Sequence, residues 1–139
     1  MQTLPEPWQP LLDSLVKLRD GWPGVGWGWD ARFRCVSSSF DKKIAARVLE
    51  LTAATLQTQW TTDNFAAAPD DVRVLAERYG GVRAGQMVLA GSDVVVGMRL
   101  FGLWWPWGDG STISLRLGIA NSDRPNELFP QLRALFGVK

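Results

Sequence analysis

One acidic and two basic side chains follow a pair of tryptophans, and their spacing could do chemistry. Asp30, Arg32 and Arg34 occupy alternate positions, so a strand would project the two arginines from one face. Guanidinium groups grip carboxylates and phosphates, and a neighbouring indole offers a flat surface for stacking. Trp27 and Trp29 would supply that surface. The cluster predicts a site for a sugar or an anionic small molecule, although a solvated outer strand face explains the same arginines.

Trp107 and Asp109 belong to the same ligand-binding hypothesis. Trp107 would stack on the ligand and Asp109 would orient it. Asp109 also suits a turn, because it stands between Gly108 and Gly110. A calcium loop of the EF type needs several acidic ligands at alternate positions, and this segment has a single one. We therefore predict no metal site and no cofactor.

The chain contains no histidine, which excludes Ser-His-Asp and Cys-His nucleophile chemistry. Cys35 has no imidazole to activate it, so a small buried strand residue is the simpler interpretation. The glycine run at 24–28 lacks the preceding strand and following helix of a phosphate loop. Asp70 and Asp71 fit the first turn of a helix. We predict no catalytic residue at these positions.

An enzyme that works without histidine stays an alternative. Asp30 or Asp93 would be its acid or base, and Arg99 or Arg116 would hold an anionic group. No spacing in the sequence selects a reaction, so we regard an enzyme as the weaker hypothesis.

The composition indicates one globular domain spanning residues 1–139, because 46% of the residues are hydrophobic and 21% are charged. The net charge is +1 and the basic residues are dispersed, which argues against a nucleic-acid partner. No apolar run suits a membrane span, and the amino terminus lacks the regions of an export signal. With Cys35 as the single cysteine, a reducing, cytoplasmic location is expected.

The hydrophobic periodicity predicts the order α-β-α-α-β-β-β-α. Helices are expected from residue 7 to about 20 and at residues 38–57, 69–79 and 126–136, and strands at residues 31–36, 86–90, 94–105 and 112–119. The second helix should be the longest. The expected fold is an α+β two-layer sandwich, in which three to four helices cover one face of a mainly antiparallel sheet of about four strands.

Strands 94–105 and 112–119 should form a tryptophan-rich hairpin with one core face. A register that sets Leu100 opposite Leu117 and Trp104 opposite Ile113 would place both apolar sets on that face. The second face would then carry an apolar and arginine-rich stripe, formed by Arg99, Phe101, Leu103, Trp105, Ser114 and Arg116. This composition resembles that of interface cores. The alternative is that the Trp-Gly loop (residues 21–29), or the first helix with Trp8, covers the stripe.

The leading hypothesis is a cytoplasmic protein-interaction module that uses this stripe, for example a bacterial immunity protein that occludes a toxin domain. That comparison is a functional analogy and no motif supports it. The partner would be another protein or a second copy of the chain. Ligand binding is the first alternative and the histidine-free enzyme is the second.

Overall fold

The computed structural model describes residues 6–24 and 26–138, which form four α-helices and six β-strands. The helices are α1 (Gln9–Gly21), α2 (Ala45–Ala53), α3 (Asp70–Arg78) and α4 (Pro125–Leu135). The strands are β1 (Gly28–Asp30), β2 (Cys35–Asp41), β3 (Thr58–Trp60), β4 (Met87–Val95), β5 (Met98–Pro106) and β6 (Thr112–Ala120). Within the described ranges, none of the helices is long and apolar enough to cross a membrane.

All six strands belong to one sheet in the order β1-β2-β6-β5-β4-β3, and every neighbouring pair is antiparallel. The α+β class is therefore correct, and the expected four strands are corrected to six. The additional strands are β1 and β3, which contain three residues each. Three residues are too few to show an alternating pattern, so the two edge strands could not be predicted from the sequence.

The β5–β6 hairpin forms the centre of the sheet with a register two residues from the expected one. Leu100 pairs with Ile119 and Trp104 pairs with Leu115. Because strand side chains alternate with a period of two, a shift of two residues leaves each side chain on its expected face. The assignment of one hairpin face to the core is correct for this reason.

Three helices cover that first face. Leu15 of α1, Val48 of α2 and Leu128 of α4 are fully buried, in one cluster with Leu115 and Leu117 of β6. The apolar positions of each helix fall on a single side, as expected for an amphipathic helix on a sheet. Trp8, Trp22, Trp27 and Trp29 also pack on this cluster.

The second face of the sheet is covered by α3, so the helices lie on both faces and not on one as predicted. Val72 and Leu75 of α3 form a buried cluster with Phe101 and Leu103 of β5. Phe101 is 3% exposed and Leu103 is 1% exposed. Neither the Trp-Gly loop, of which residue 25 lies outside the described part, nor Trp8 provides this cover, because both pack on the first face.

Several element boundaries differ from the prediction around residues 31–57. Residues 31–34 form a turn, and β2 begins only at Cys35 and continues through the three serines. Asp41 accepts a hydrogen bond from the Lys43 amide at 2.8 Å and begins a short 3₁₀ helix. This leaves α2 with nine residues, and α1, with 13, is the longest helix. Ser38 lies inside β2, and its buried hydroxyl accepts a hydrogen bond from the Trp22 indole at 2.9 Å.

The turn between β4 and β5 also lies later than predicted. Gly91 and Ser92 belong to an irregular part of β4, and the chain reverses at Val96 and Gly97. Both turn residues have positive φ, of 49° and 77°. Gly91 and Ser92 stand between the expected strands 86–90 and 94–105, but the bulge absorbs them and lets β4 continue to Val95.

Candidate functional site

An open depression lies where the β1–β2 turn approaches the end of α3. It has a volume of about 750 Å³. Its lining residues come from these two segments and are Arg32, Phe33, Arg34, Glu77, Arg78, Tyr79, Gly80 and Arg83. We call this depression the arginine concavity.

The carboxylate of Asp30 holds the turn that carries Arg32 and Arg34. One of its oxygens accepts a hydrogen bond from the Phe33 amide at 3.0 Å, and the other accepts one from Arg116 Nε at 2.9 Å. Arg34 has a φ of 55°, a left-handed backbone that is uncommon for a residue with a side chain. The Asp30 bridge therefore stabilises a tight turn and ties it to the centre of the sheet.

The opposite wall is the carboxyl end of α3. Gly80 and Gly81 follow the helix with φ values of 94° and 81°, a conformation for which glycine is best suited. The Gly81 amide donates to the Ala76 carbonyl at 2.8 Å, which satisfies the end of the helix. The chain then reverses, so that Arg78 and Arg83 lie on the same depression.

Aromatic side chains form the floor of the arginine concavity. Phe33 contacts Tyr79 and Trp105 edge to face, with ring centroids 4.9 and 5.3 Å apart. The Tyr79 hydroxyl donates a hydrogen bond to the Phe33 carbonyl at 3.1 Å. The Arg116 guanidinium lies 4.7 Å from the Trp105 ring centroid. The floor thus connects both walls to the sheet and is preformed.

Four arginines surround this floor without a carboxylate partner. Five arginines elsewhere in the described residues are ion-paired with acids, namely Arg19, Arg73, Arg99, Arg116 and Arg124. Within residues 6–24 and 26–138, Arg32, Arg34, Arg78 and Arg83 form no such pair, and all four are exposed. Glu77 is the one acid among the lining residues, so the site is strongly positive.

The pKa values of two groups at the site differ from their ordinary values. Burial acts to raise the pKa of Asp30, but the hydrogen bonds from Arg116 and Phe33 outweigh it, and the pKa lies below its ordinary value. Burial raises the pKa of Tyr79, while the charges of Arg78 and Arg34 act in the opposite direction. Asp30 is therefore ionised and Tyr79 neutral at neutral pH. Both arginine charges are felt at the Tyr79 hydroxyl.

The predicted partner-binding stripe does not form an exposed surface. Phe101 and Leu103 are buried beneath α3, and Arg99 donates to Asp71 at 2.7 Å and to the Gly91 carbonyl at 2.8 Å. Ser114 is also buried and accepts a hydrogen bond from Arg116. Trp105 and Arg116 are the two members of the stripe that contact Phe33, a lining residue of the arginine concavity. The cover of Phe101 and Leu103 is thus provided by α3 of the same chain.

The predicted ligand-binding residues are divided among three places. Arg32 and Arg34 line the arginine concavity, and Asp30 braces them. Trp27 and Trp29 lie on the opposite face, with ring centroids 4.7 Å from Phe136 and 5.6 Å from Phe129 respectively.

Trp107 is 53% exposed at the tip of the β5–β6 hairpin. Asp109 accepts hydrogen bonds from the Ser111 and Thr112 amides in the same turn. These hydrogen bonds lower the pKa of Asp109. The expected indole shelf beside Arg32 and Arg34 is replaced by Phe33 and Tyr79.

Asp30, Asp93 and Cys35 are the groups that were considered for acid–base or nucleophilic chemistry. Asp30 is held as a carboxylate by its two hydrogen bonds, which makes it a poor proton donor, and Asp93 is exposed on β4. Cys35 is fully buried, and burial raises the pKa of its thiol to about 12. The described residues hold no cluster of three or more acidic or cysteine side chains that could bind a metal.

The sequence analysis missed Phe33, Tyr79, Arg78 and Arg83 as site residues. Phe33 and Tyr79 are partly buried against the second core cluster, so their residue types are those of core positions. Arg78 and Arg83 flank a Gly-Gly pair, and basic residues are common at the end of a helix. A basic residue on each side of a helix stop was the available signal. This signal alone does not indicate a site, because the site also depends on the tertiary structure, in which α3 ends beside Arg34.

A comparison with protein-family models, with curated proteins and with solved structures found no match. The fold and the site define the molecule as an α+β domain with a preformed, positively charged depression.

Proposed function

We propose that this protein is a protein-interaction module, and that it binds an acidic segment of its partner in the arginine concavity. The single observation that carries the proposal is that four arginines without carboxylate partners, Arg32, Arg34, Arg78 and Arg83, surround one aromatic floor. Carboxylates are the natural complement, because the planar guanidinium fork binds them in a bidentate manner.

The exposure of the arginines favours an extended partner over a small molecule. Small-ligand pockets bury most of the surface of their ligand, whereas Arg32, Arg34, Arg78 and Arg83 are all exposed around an open depression. Each exposed charge pair contributes only about 0.2–1 kcal/mol, so useful affinity needs several pairs at once. A peptide segment with several carboxylates supplies them. A bacterial immunity protein that blocks a toxin domain is one form of such a module, and a small adaptor is another.

An anionic small molecule is the second candidate. The volume of the concavity, about 750 Å³, lies within the range of ligand sites. Arg32 and Arg34 could bind the charge of the ligand, and the rings of Phe33 and Tyr79 could contact a flat group. A nucleotide or a sugar phosphate would combine the needed charge with a flat group. This candidate uses the same residues, so one titration distinguishes it from the first.

Calorimetric titration with a glutamate-rich peptide, acetylated and amidated at its ends, tests the proposal. We expect saturable binding that weakens with added salt and that falls by about tenfold or more in Arg34→Glu and in Arg78→Glu, because each change replaces attraction with repulsion. Arg47→Glu is the matched control, since Arg47 is exposed on α2, lies outside the concavity and changes the net charge equally.

Three results would overturn the proposed partner. Equal losses in Arg34→Glu and Arg47→Glu would mean that only the net charge matters. If the unmodified protein does not bind the peptide, an acidic segment is excluded as the ligand of the concavity. If a nucleotide or a sugar phosphate binds more tightly than the peptide, the concavity is a site for an anionic small molecule.

A further inference from the structure

A smaller cavity opens from the side of the arginine concavity, at the end of the sheet where β6 leads to α4. Its volume is about 140 Å³. It is lined by residues of both cores and of the β6–α4 connection, namely Phe33, Arg34, Leu75, Arg78, Tyr79, Phe101, Ile119, Ala120, Asn121, Ser122, Pro125 and Phe129. We call it the side pocket. It shares Phe33, Arg34, Arg78 and Tyr79 with the arginine concavity.

The inner walls of the side pocket are apolar. Phe101, Ile119 and Ala120 are buried, and Leu75 and Phe129 complete the wall. An apolar cavity of roughly 150 Å³ accepts a benzene ring, so the side pocket has room for one aromatic or branched aliphatic side chain. The apolar wall suits an uncharged group, and Asn121 and Ser122 add polar side chains to the lining.

The rim of the side pocket carries positive charge. Arg34 from the β1–β2 turn and Arg78 from α3 belong to both cavities, and neither forms an ion pair within the described ranges. Both charges act on the hydroxyl of Tyr79, which lines the same cavities. A ligand that places an apolar group in the pocket would therefore bind best if it also carries a negative charge at the rim, next to Arg34 and Arg78.

We infer that the partner segment ends here, with its terminal α-carboxylate between Arg34 and Arg78 and an apolar last side chain in the side pocket. The inference rests on the proposed function. The carboxyl terminus is the one place in an ordinary polypeptide where a carboxylate and an apolar side chain share a carbon atom. An internal Asp or Glu offers the charge alone, and an internal Leu or Phe offers the apolar group alone. Acidic residues upstream of the terminus would then meet Arg32 and Arg83.

A series of peptides with one glutamate-rich stem tests this on the unmodified protein. The members end in leucine with a free carboxylate, in leucine amide, and in alanine with a free carboxylate. We expect the leucine acid to bind about tenfold or more tightly than each of the other two. If all three bind equally, the segment does not end in the side pocket, although the proposed function stands. If none binds, both proposals fail.

Free isovalerate and phenylacetate form a separate arm, because a small apolar acid has the same chemistry as a peptide terminus. We expect each to bind far more weakly than the leucine-ended peptide, since neither reaches Arg32 and Arg83. Binding as tight as that of the peptide would overturn the assignment of the pocket to a chain terminus.

Ala120→Leu tests the pocket itself by filling it. We expect the ratio of the affinities for the leucine-ended and alanine-ended peptides to fall towards one. An unchanged ratio in a variant that melts cooperatively would contradict the inference. Should Ala120→Leu fail to fold, the peptide series on the unmodified protein decides the question by itself.

Discussion

Asp30 shows how a single side chain organises the candidate site. Its two oxygens join the turn at Phe33 to Arg116 on the central strand β6, and Arg116 in turn lies over the rings of Phe33 and Trp105. The side chain of Asp30 is 18% exposed, so this ion pair is largely shielded from solvent. Removing one partner of such a pair leaves the charge of the other without a counter-charge, which destabilises the folded protein.

We expect Asp30→Asn to lower the free energy of unfolding by about 2 kcal/mol at neutral pH. The pKa of Asp30 is below the ordinary value of 3.8 in the folded protein, so its contribution is present above that value and is lost as the pH falls through the folded pKa. Denaturant unfolding of both proteins over a pH series measures the difference. The difference in the free energy of unfolding between the two proteins should be largest at neutral pH and should decrease towards zero in acid.

Asp63→Asn provides the comparison, because Asp63 is exposed and its side chain has no ion pair in the described part of the chain. We expect it to change stability by less than about 0.5 kcal/mol. Equal effects of the two substitutions, or a loss in Asp30→Asn that does not vary with pH, would show that the Asp30 bridge does not stabilise the turn.

At the scale of secondary-structure elements, long alternating strands were predictable and short ones were not. The ends of β5 and β6 lie within four residues of the predicted ones because each strand has nine residues, enough for the period of two to be visible. Residues 31–36 also alternate, yet residues 31–34 form the turn that carries Arg32 and Arg34. The carboxylate of Asp30 and its partner Arg116 stabilise that turn, and the pair is separated by 86 positions in sequence. A contact at that distance leaves no trace in local periodicity.

The β4–β5 turn contains a residue that is poorly suited to its conformation. Val96 has a φ of 49° and is 79% exposed, so it occupies a left-handed position with a β-branched side chain that packs little. Asparagine tolerates this conformation far better, and Asn-Gly is the favoured pair for such a turn. We expect Val96→Asn to stabilise the protein by about 1 kcal/mol.

Thermal unfolding measures the effect of Val96→Asn as a higher melting temperature. Val94→Asn is the matched control, because Val94 is also exposed but lies in the strand and has no positive φ. It should give no gain, since asparagine is less favourable than valine in a strand. A melting temperature that rises equally in both variants, or falls in Val96→Asn, would contradict the assigned turn.

At the scale of the whole molecule, the two faces of the sheet determine which surfaces remain for a partner. The apolar content of the second hairpin face was predictable, but its cover was not, because one-sided helices such as α3 can pack on either face with similar local patterns. Once α3 covers Phe101 and Leu103, its end lies beside the β1–β2 turn, and the arginines of both segments meet. Two of the four, Arg32 and Arg34, were candidates from sequence alone. The other two depended on the tertiary path of the chain.

We propose that an acidic partner segment binds in the arginine concavity. Amide proton–nitrogen correlation spectra, recorded during titration with the glutamate-rich peptide, test it most directly because they report the position of binding residue by residue. We predict that the largest shifts fall on residues 32–34 and 77–83, and that the amides around Trp107 remain unchanged. Shifts centred on the hairpin tip, or spread evenly over the surface, would contradict the account.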